Sequence, residues 1–226
     1  DLSKYTTYKV GGKARAIIYP KDRRCLVELC KLIKTYHIKY KILGNGSNLL
    51  FSDELYDGIL IKLDEFDKIE FVRNKVICGA GASLMKVARE AMKRSLAGVE
   101  FASGIPGTIG GAIYMNAGAY KSDMGYITTN VTVLTDDLKI ITLTNSEMDF
   151  HYRSSYLQKH KDFICLEAVL KLTKGDRKEI EEITKERRER RMESQPLEYP
   201  SAGSVFRNPE GMYAGKLIED LGLKGL

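Results

Sequence analysis

Residues 14–63 alternate between strand and helix spacing. The apolar run over 14–19 is strand-length and stops at Pro20, which donates no backbone hydrogen bond. Asp22 then stands where a helix cap belongs, because Leu26, Leu29, Ile33 and Tyr36 recur on one helical face. Residues 40–43 predict a return strand and residues 58–63 another. Strand, crossover helix and return strand make a βαβ unit, and ligands of such units commonly bind beyond the carboxyl ends of the strands.

From residue 64 the pattern is mostly that of a sheet. Runs 68–72 and 75–78 flank Arg73 and Asn74, and runs 130–135 and 139–143 flank residues 136–138, so each pair predicts a hairpin. Ser83 is placed to cap a helix running through Leu96, with Leu84, Val87, Ala88 and Ala91 on one face. Residues 164–172 add a strand. Beyond Gly175 the chain becomes strongly charged. Asp176 and Glu179 have capping-box spacing before a helix over 179–193, whose main apolar contacts are Ile180 and Ile183. Its Arg187, Arg188, Arg190 and Arg191 read first as a solvated face. Together these elements predict an α+β fold.

Two glycine-bearing segments punctuate the pattern. The stretch 101–120, FASGIPGTIGGAIYMNAGAY, carries no charge. Gly104, Gly107, Gly110 and Gly111 have the freedom to take positive φ and turn peptide N–H groups toward an anion such as a phosphate, while Pro106 stiffens the loop. The same spacing also suits a tight turn packed on a neighbouring strand. The second segment, GNGSNLL over 44–50, follows the predicted strand 40–43. It begins like a dinucleotide fingerprint, but Leu49 stands where the third glycine belongs and no helical pattern follows, which argues against a Rossmann unit. Gly44, Asn45, Gly46, Ser47 and Asn48 still offer backbone and side-chain partners for phosphate oxygens. One such loop suits a phosphate, and two suit a pyrophosphate.

The motifs YTTYKVGGKA, LGNGSNLLFSD, ASGIPGTIGGAIYMNAGAY, YRSS at 152–155, and QPLEYPSAGSVFRNP followed by AGKLIEDLGLKG run in order over nearly the whole chain. In that order and spacing the chain resembles the shorter type of the UDP-N-acetylenolpyruvoylglucosamine reductase family, FAD-dependent enzymes of bacterial peptidoglycan precursor synthesis. The resemblance implies a two-lobed FAD-binding module of the PCMH/vanillyl-alcohol-oxidase type over 1–173, with lobes 1–63 and 64–173. An α/β substrate-binding domain over 174–226, incomplete at its carboxyl end, would follow. It implies non-covalent FAD held by Gly44, Asn45, Gly46, Ser47 and Asn48 and by Ser103, Gly104, Ile105, Pro106, Gly107, Gly110 and Gly111. NADPH would be the co-substrate, and UDP-N-acetylglucosamine enolpyruvate would be reduced to UDP-N-acetylmuramate.

Residue by residue, the resemblance makes Ser204 the acid that protonates the substrate carbon and Arg153 the fork that grips the substrate carboxylate. It makes Tyr152, Arg191 and Asn208 substrate contacts. Without it, Ser204 reads as a loop serine and Arg153 as a surface ion-pair partner. The family also has a catalytic glutamate near its carboxyl terminus. No residue of this sequence matches it, and Glu219 in AGKLIED is not its equivalent, so weak turnover is expected of these 226 residues alone.

Composition narrows the classes. A hydrophobic content of 43% with 29% charged residues is that of a globular protein, and no apolar run is long enough for a membrane span. The first residues have no signal-peptide core, so a cytoplasmic protein is expected, and a monomer is the accompanying expectation. Cys25, Cys30, Cys78 and Cys165 form no CxxC pair, which argues against both a zinc site and a disulfide framework. The net charge of +6 comes without a nucleic-acid recognition motif and suits small anions as well. Two other readings remain open. One is a different FAD-dependent oxidoreductase of the same fold, although none of His37, His151 and His160 lies in a glycine loop to attach a flavin covalently. The other is a nucleotide-binding module without catalysis.

Overall fold

A computed structural model describes residues 1–195, 198–201 and 203–225. Asp22 caps the first helix as expected, its carboxylate accepting a 2.7 Å bond from the Cys25 N–H. Strand β1 (Ala14–Ile18), helix α1 (Arg23–Thr35), β2 (Tyr40–Ile42) and β3 (Tyr56–Ile61) form a parallel three-stranded sheet in the order β1-β3-β2. The return strand β2 therefore does not pair with β1. Strand β3 lies between them, with Leu60 and Ile61 fully buried, since a central strand covers both its edges and both its faces. Tyr36 is not on the buried helix face. It lies past the last turn, where its N–H bonds back to Leu32 O, His37 takes φ +52°, and the side chain is 69% exposed.

The second region contains β4 (Ile69–Val72), β5 (Lys75–Gly79), α2 (Leu84–Lys93), β6 (Leu96–Ala97), α3 (Ile109–Tyr114), β7 (Gly118–Ala119), β8 (Ser122–Asp123), α4 (Met124–Ile127), β9 (Thr128–Leu134), β10 (Ile140–Thr144), α5 (Tyr156–Lys159), β11 (Ile164–Lys171) and β12 (Thr173–Lys174). Both expected hairpins form, β4 with β5 and β9 with β10, and β11 joins them into an antiparallel sheet ordered β10-β9-β11-β5-β4. Helix α2 stops at Lys93 rather than Leu96. Ser95 takes φ +55°, which ends the helix and frees Leu96 to pair with Lys174.

The sheets do not have separate interiors. Leu26, Cys30 and Ile33 of α1 and Ile61 of β3 lie in one apolar cluster with Val76, Val131, Val133, Ala168 and Leu170 of the antiparallel sheet. A smaller cluster of Leu2, Leu43 and Leu60 packs the other face of the parallel sheet. Helix α6 (Arg177–Ser194) is capped by Asp176, whose carboxylate accepts from the Lys178 and Glu179 N–H groups. Ile180 is buried, but Ile183 is 39% exposed. Helix α7 (Ala214–Asp220) buries none of its residues. Among the described residues no helix is long and apolar enough to cross a membrane.

Candidate active site

The two glycine segments meet. Residues 44–50 leave the carboxyl end of β2, anchored by buried Leu43. Asn45 reaches across and donates through Nδ2 to Pro106 O at 3.3 Å. Gly44 packs so closely on the central stretch that a Cβ there would lie 2.7 Å from Thr108 Oγ1. Gly46 has φ +62°, and a Cβ on it would stand 2.0 Å from Tyr5 O, so only glycine fits. The Thr7 N–H donates to Gly46 O at 3.3 Å, laying the amino-terminal segment against the loop. Lys62, only 8% exposed, donates through Nζ to Gly44 O at 2.9 Å and pairs with Asp64 at 3.2 Å. Lys4, Tyr5, Thr6, Thr7, Asn45 and Lys62 line an open cavity of about 240 Å3.

The loops differ in what their amides do. Among the described residues, the N–H groups of Asn45, Gly46, Ser47 and Asn48 donate to no protein acceptor. In the central stretch, by contrast, Gly107 N–H bonds to Ile105 O at 2.8 Å, Gly110 N–H to Ala80 O at 2.8 Å, and Gly111 N–H to Thr108 Oγ1 at 3.3 Å. The expectation that Gly107, Gly110 and Gly111 direct their amides at an anion is thus corrected: those donors are used within the protein. Gly110 follows the tight-turn alternative, since a Cβ there would lie 3.1 Å from Ala80 Cβ. Gly107 is different. The nearest atom to a Cβ there is Ile105 Cγ2 at 3.9 Å, so its outer side is open. Ser103 turns its hydroxyl back to Glu100 O.

Helix α6 crosses this stretch. A Cβ on Gly104 would lie 2.9 Å from Arg191 Nη1, and Arg191 Nε donates to Gln195 Oε1 at 3.1 Å. Arg187 lies over the Tyr120 ring at 4.8 Å, and Tyr120 donates to Arg187 O. The charged face is thus partly docked rather than wholly solvated.

Arg153 sits in a tight turn closed by reciprocal backbone bonds between His151 and Ser154, at φ +55°. A left-handed backbone costs a non-glycine residue about 1–2 kcal/mol. The turn aims its guanidinium back at the glycine-rich stretch, with Nη2 donating to Gly118 O at 2.7 Å. Beside it, Asp149 accepts from Lys159 at 2.6 Å and contacts His151 at 2.8 Å. These two hydrogen bonds, Lys159 first, hold its carboxyl below the usual range.

Ser204 is exposed, and no bond joins it to Arg153 among the described residues. Its segment is nevertheless tied down on both sides. Ser201 N–H donates to Thr7 O at 3.1 Å, next to the first loop. Arg207 Nη2 donates to Tyr152 O at 2.7 Å, next to Arg153. Tyr152 is half-exposed, with Arg153 5.4 Å from its ring centre. Asn208 lies outside this convergence, its Oδ1 accepting the Ala214 N–H at 3.1 Å at the start of α7. Sequence reasoning passed over Thr7, Lys62 and Arg207. Of these, only Lys62 left a signal, as the lone charge in the apolar run 58–63.

These features fit a nucleotide diphosphate cofactor such as FAD. The Thr7 hydroxyl oxygen is buried in this cavity wall without a partner among the described residues, four loop amides are unspent, and the outer side of Gly107 is open to a flat ring.

Comparison with known proteins agrees with this chemistry. Residues 14–144 match the family model of an FAD binding domain, and residues 195–226 match that of the UDP-N-acetylenolpyruvoylglucosamine reductase C-terminal domain. UDP-N-acetylenolpyruvoylglucosamine reductase 1 of Bacillus cereus is 45% identical over 99% of this chain and 75% of its own length. The Caldanaerobacter subterraneus reductase is 46% identical over 99% of this chain and 74% of its own. The crystal structure of UDP-N-acetylenolpyruvylglucosamine reductase from Thermus caldophilus superposes with a TM-score of 0.85 at 34% identity, covering 100% of this chain and 79% of that one. With its two glycine loops joined through Asn45 and Pro106 and relatives this similar over nearly its full extent, the chain belongs to the UDP-N-acetylenolpyruvoylglucosamine reductase family.

Proposed function

We propose that this protein reduces UDP-N-acetylglucosamine enolpyruvate to UDP-N-acetylmuramate, with FAD as bound cofactor and NADPH as reductant, in peptidoglycan precursor synthesis. Bound FAD supplies the hydride chemistry that no side chain can provide. The observation that carries the reading is the convergence of the Asn45 loop, the Pro106 loop, the Arg153 turn and the doubly tethered segment containing Ser204.

The chain's residues divide the remaining work. The free amides of Asn45, Gly46, Ser47 and Asn48, with Lys62 behind them, hold the cofactor's diphosphate. Gly104, Ile105, Pro106 and Gly107 form the surface beside it, and Gly110 and Gly111 brace that surface on Ala80 and Thr108. Arg153 grips the enolpyruvyl carboxylate and stabilises the negative charge that spreads onto it during reduction. Ser204 gives its hydroxyl proton to the carbon left electron-rich. Arg191, held over Gly104, faces the substrate's phosphates, and Tyr152, between Arg153 and Arg207, lines the substrate side. Residues 1–173 serve the cofactor and residues 174–226 the substrate.

An anaerobic titration tests this. NADPH should bleach the visible absorbance of the bound flavin, and UDP-N-acetylglucosamine enolpyruvate should then restore it. A folded protein that binds no flavin overturns the reading. A bleached flavin that the enolpyruvyl substrate does not reoxidise keeps the cofactor reading and places the defect on the substrate side, where no residue matches the family's glutamate.

A further inference from the structure

The Arg153 turn is clamped from outside at two carbonyls. Gln158, on α5, donates through Nε2 to Arg153 O at 3.0 Å and to Tyr114 O at 3.0 Å, with Met115 Sδ alongside at 3.6 Å. Both strong partners are acceptors, so the nitrogen, not the oxygen, of the carboxamide must face them, and both of its protons are used. Asn116, 2% exposed, holds the other end of the turn, donating to His151 O at 2.8 Å and accepting from the Gly125 N–H at 2.9 Å. Ser155, fully buried, donates to the same Tyr114 O at 2.8 Å. Tyr114 ends α3, the short helix that begins in the glycine-rich stretch. One rigid element therefore carries the cofactor-side surface at its start and the clamp on Arg153 at its end.

We propose that Gln158 is a positioning residue for Arg153. Its bond to the Arg153 carbonyl maintains the left-handed turn that aims the guanidinium across the glycine-rich stretch at Gly118. The inference rests on the reading of Arg153 as the carboxylate-gripping residue. Gln158 reaches the site through the carbonyls of Arg153 and Tyr114, so its removal should act on the enolpyruvyl ligand through Arg153.

Calorimetric titration of the flavin-loaded protein separates these effects, using two ligands: UDP-N-acetylglucosamine enolpyruvate, and UDP-N-acetylglucosamine, which lacks the carboxylate. Arg153→Ala should weaken the first and spare the second. Gln158→Leu should do the same to a smaller degree, about tenfold for the enolpyruvyl ligand. The double variant should bind no more weakly than Arg153→Ala. Gln158→Lys, whose ammonium can donate to both carbonyls, should restore binding and also covers the case in which Gln158→Leu does not fold. If Arg153→Ala discriminates between the ligands but Gln158→Leu weakens both equally or neither, or if Gln158→Lys binds no better than Arg153→Ala, the positioning role is overturned. If Arg153→Ala fails to discriminate, the carboxylate reading of Arg153 falls, and this inference with it.

Discussion

A hydroxyl is a weak acid in water, so Ser204 is useful only where a carbon about to become electron-rich is brought within hydrogen-bond reach. Ser204→Ala is therefore expected to leave flavin bleaching by NADPH unchanged while slowing reoxidation by the enolpyruvyl substrate by about 10²–10⁴-fold. Rapid-mixing absorbance resolves the two halves. Arg153 allows a complementary test, because its backbone conformation favours glycine. Arg153→Gly relieves about 1–2 kcal/mol of strain and gives up the charged bond to Gly118 O, worth about 1.5–3 kcal/mol, so the two nearly offset. Its urea unfolding midpoint should stay near that of the parent, while substrate reduction is lost.

At the level of elements, the glycines divide into those that make the fold and those that leave room. Gly46→Ala would drive a Cβ into Tyr5 O and strain a positive φ, so the first loop and the cavity beside it should be lost together. The Cβ of Gly107→Asp would meet no protein atom closer than Ile105 Cγ2 at 3.9 Å, so the variant should keep the parent's far-ultraviolet circular dichroism. The variant should nevertheless purify colourless, since its carboxylate occupies the open side and repels an anionic cofactor. A coloured Gly107→Asp protein would remove this loop from the cofactor site. Hairpin β4–β5 and helices α1 and α6 were legible in the sequence because their signals are local: two turn residues between apolar runs, or an aspartate before a helical stripe. The short α3 and α5 were not legible. Ser155, at the start of α5, is satisfied by Tyr114 O far along the chain, and Thr108 caps the six-residue α3 from inside a glycine-rich stretch that reads as a loop.

For the molecule as a whole, the shared core sets the response to alkali. Burial pushes the thiols of Cys30 up to about 11 and of Cys78 and Cys165 up to about 12, from an ordinary 9.0. In the unfolded chain these thiols ionise at their ordinary value, so the stability they represent is complete below pH 9.0 and is lost as pH rises toward the folded values. The thermal midpoint should fall as pH rises from about 9 toward 11, and Cys78→Ala should make that slope shallower. At neutral pH only exposed Cys25 should react with an aromatic disulfide reagent; the other three should react after unfolding.

The sequence alone determined the local elements, the α+β class, the two glycine loops and the family, because caps, turn residues and ordered motifs are all readable over short spans. Tertiary structure decided what those features do. β3 displaced β2 from β1 because the strand able to bury Leu60 and Ile61 takes the sheet's centre. Gly107, Gly110 and Gly111 lost the role of anion cradle because their amides found acceptors in the protein, whereas those of residues 45–48 found none among the described residues. Arg153 acquired its direction, and Ser204 its tethers to both sides of the site, through hydrogen bonds between residues far apart in the chain. No spacing along a sequence encodes which distant carbonyl a donor will meet. That depends on how the packed core brings the loops together.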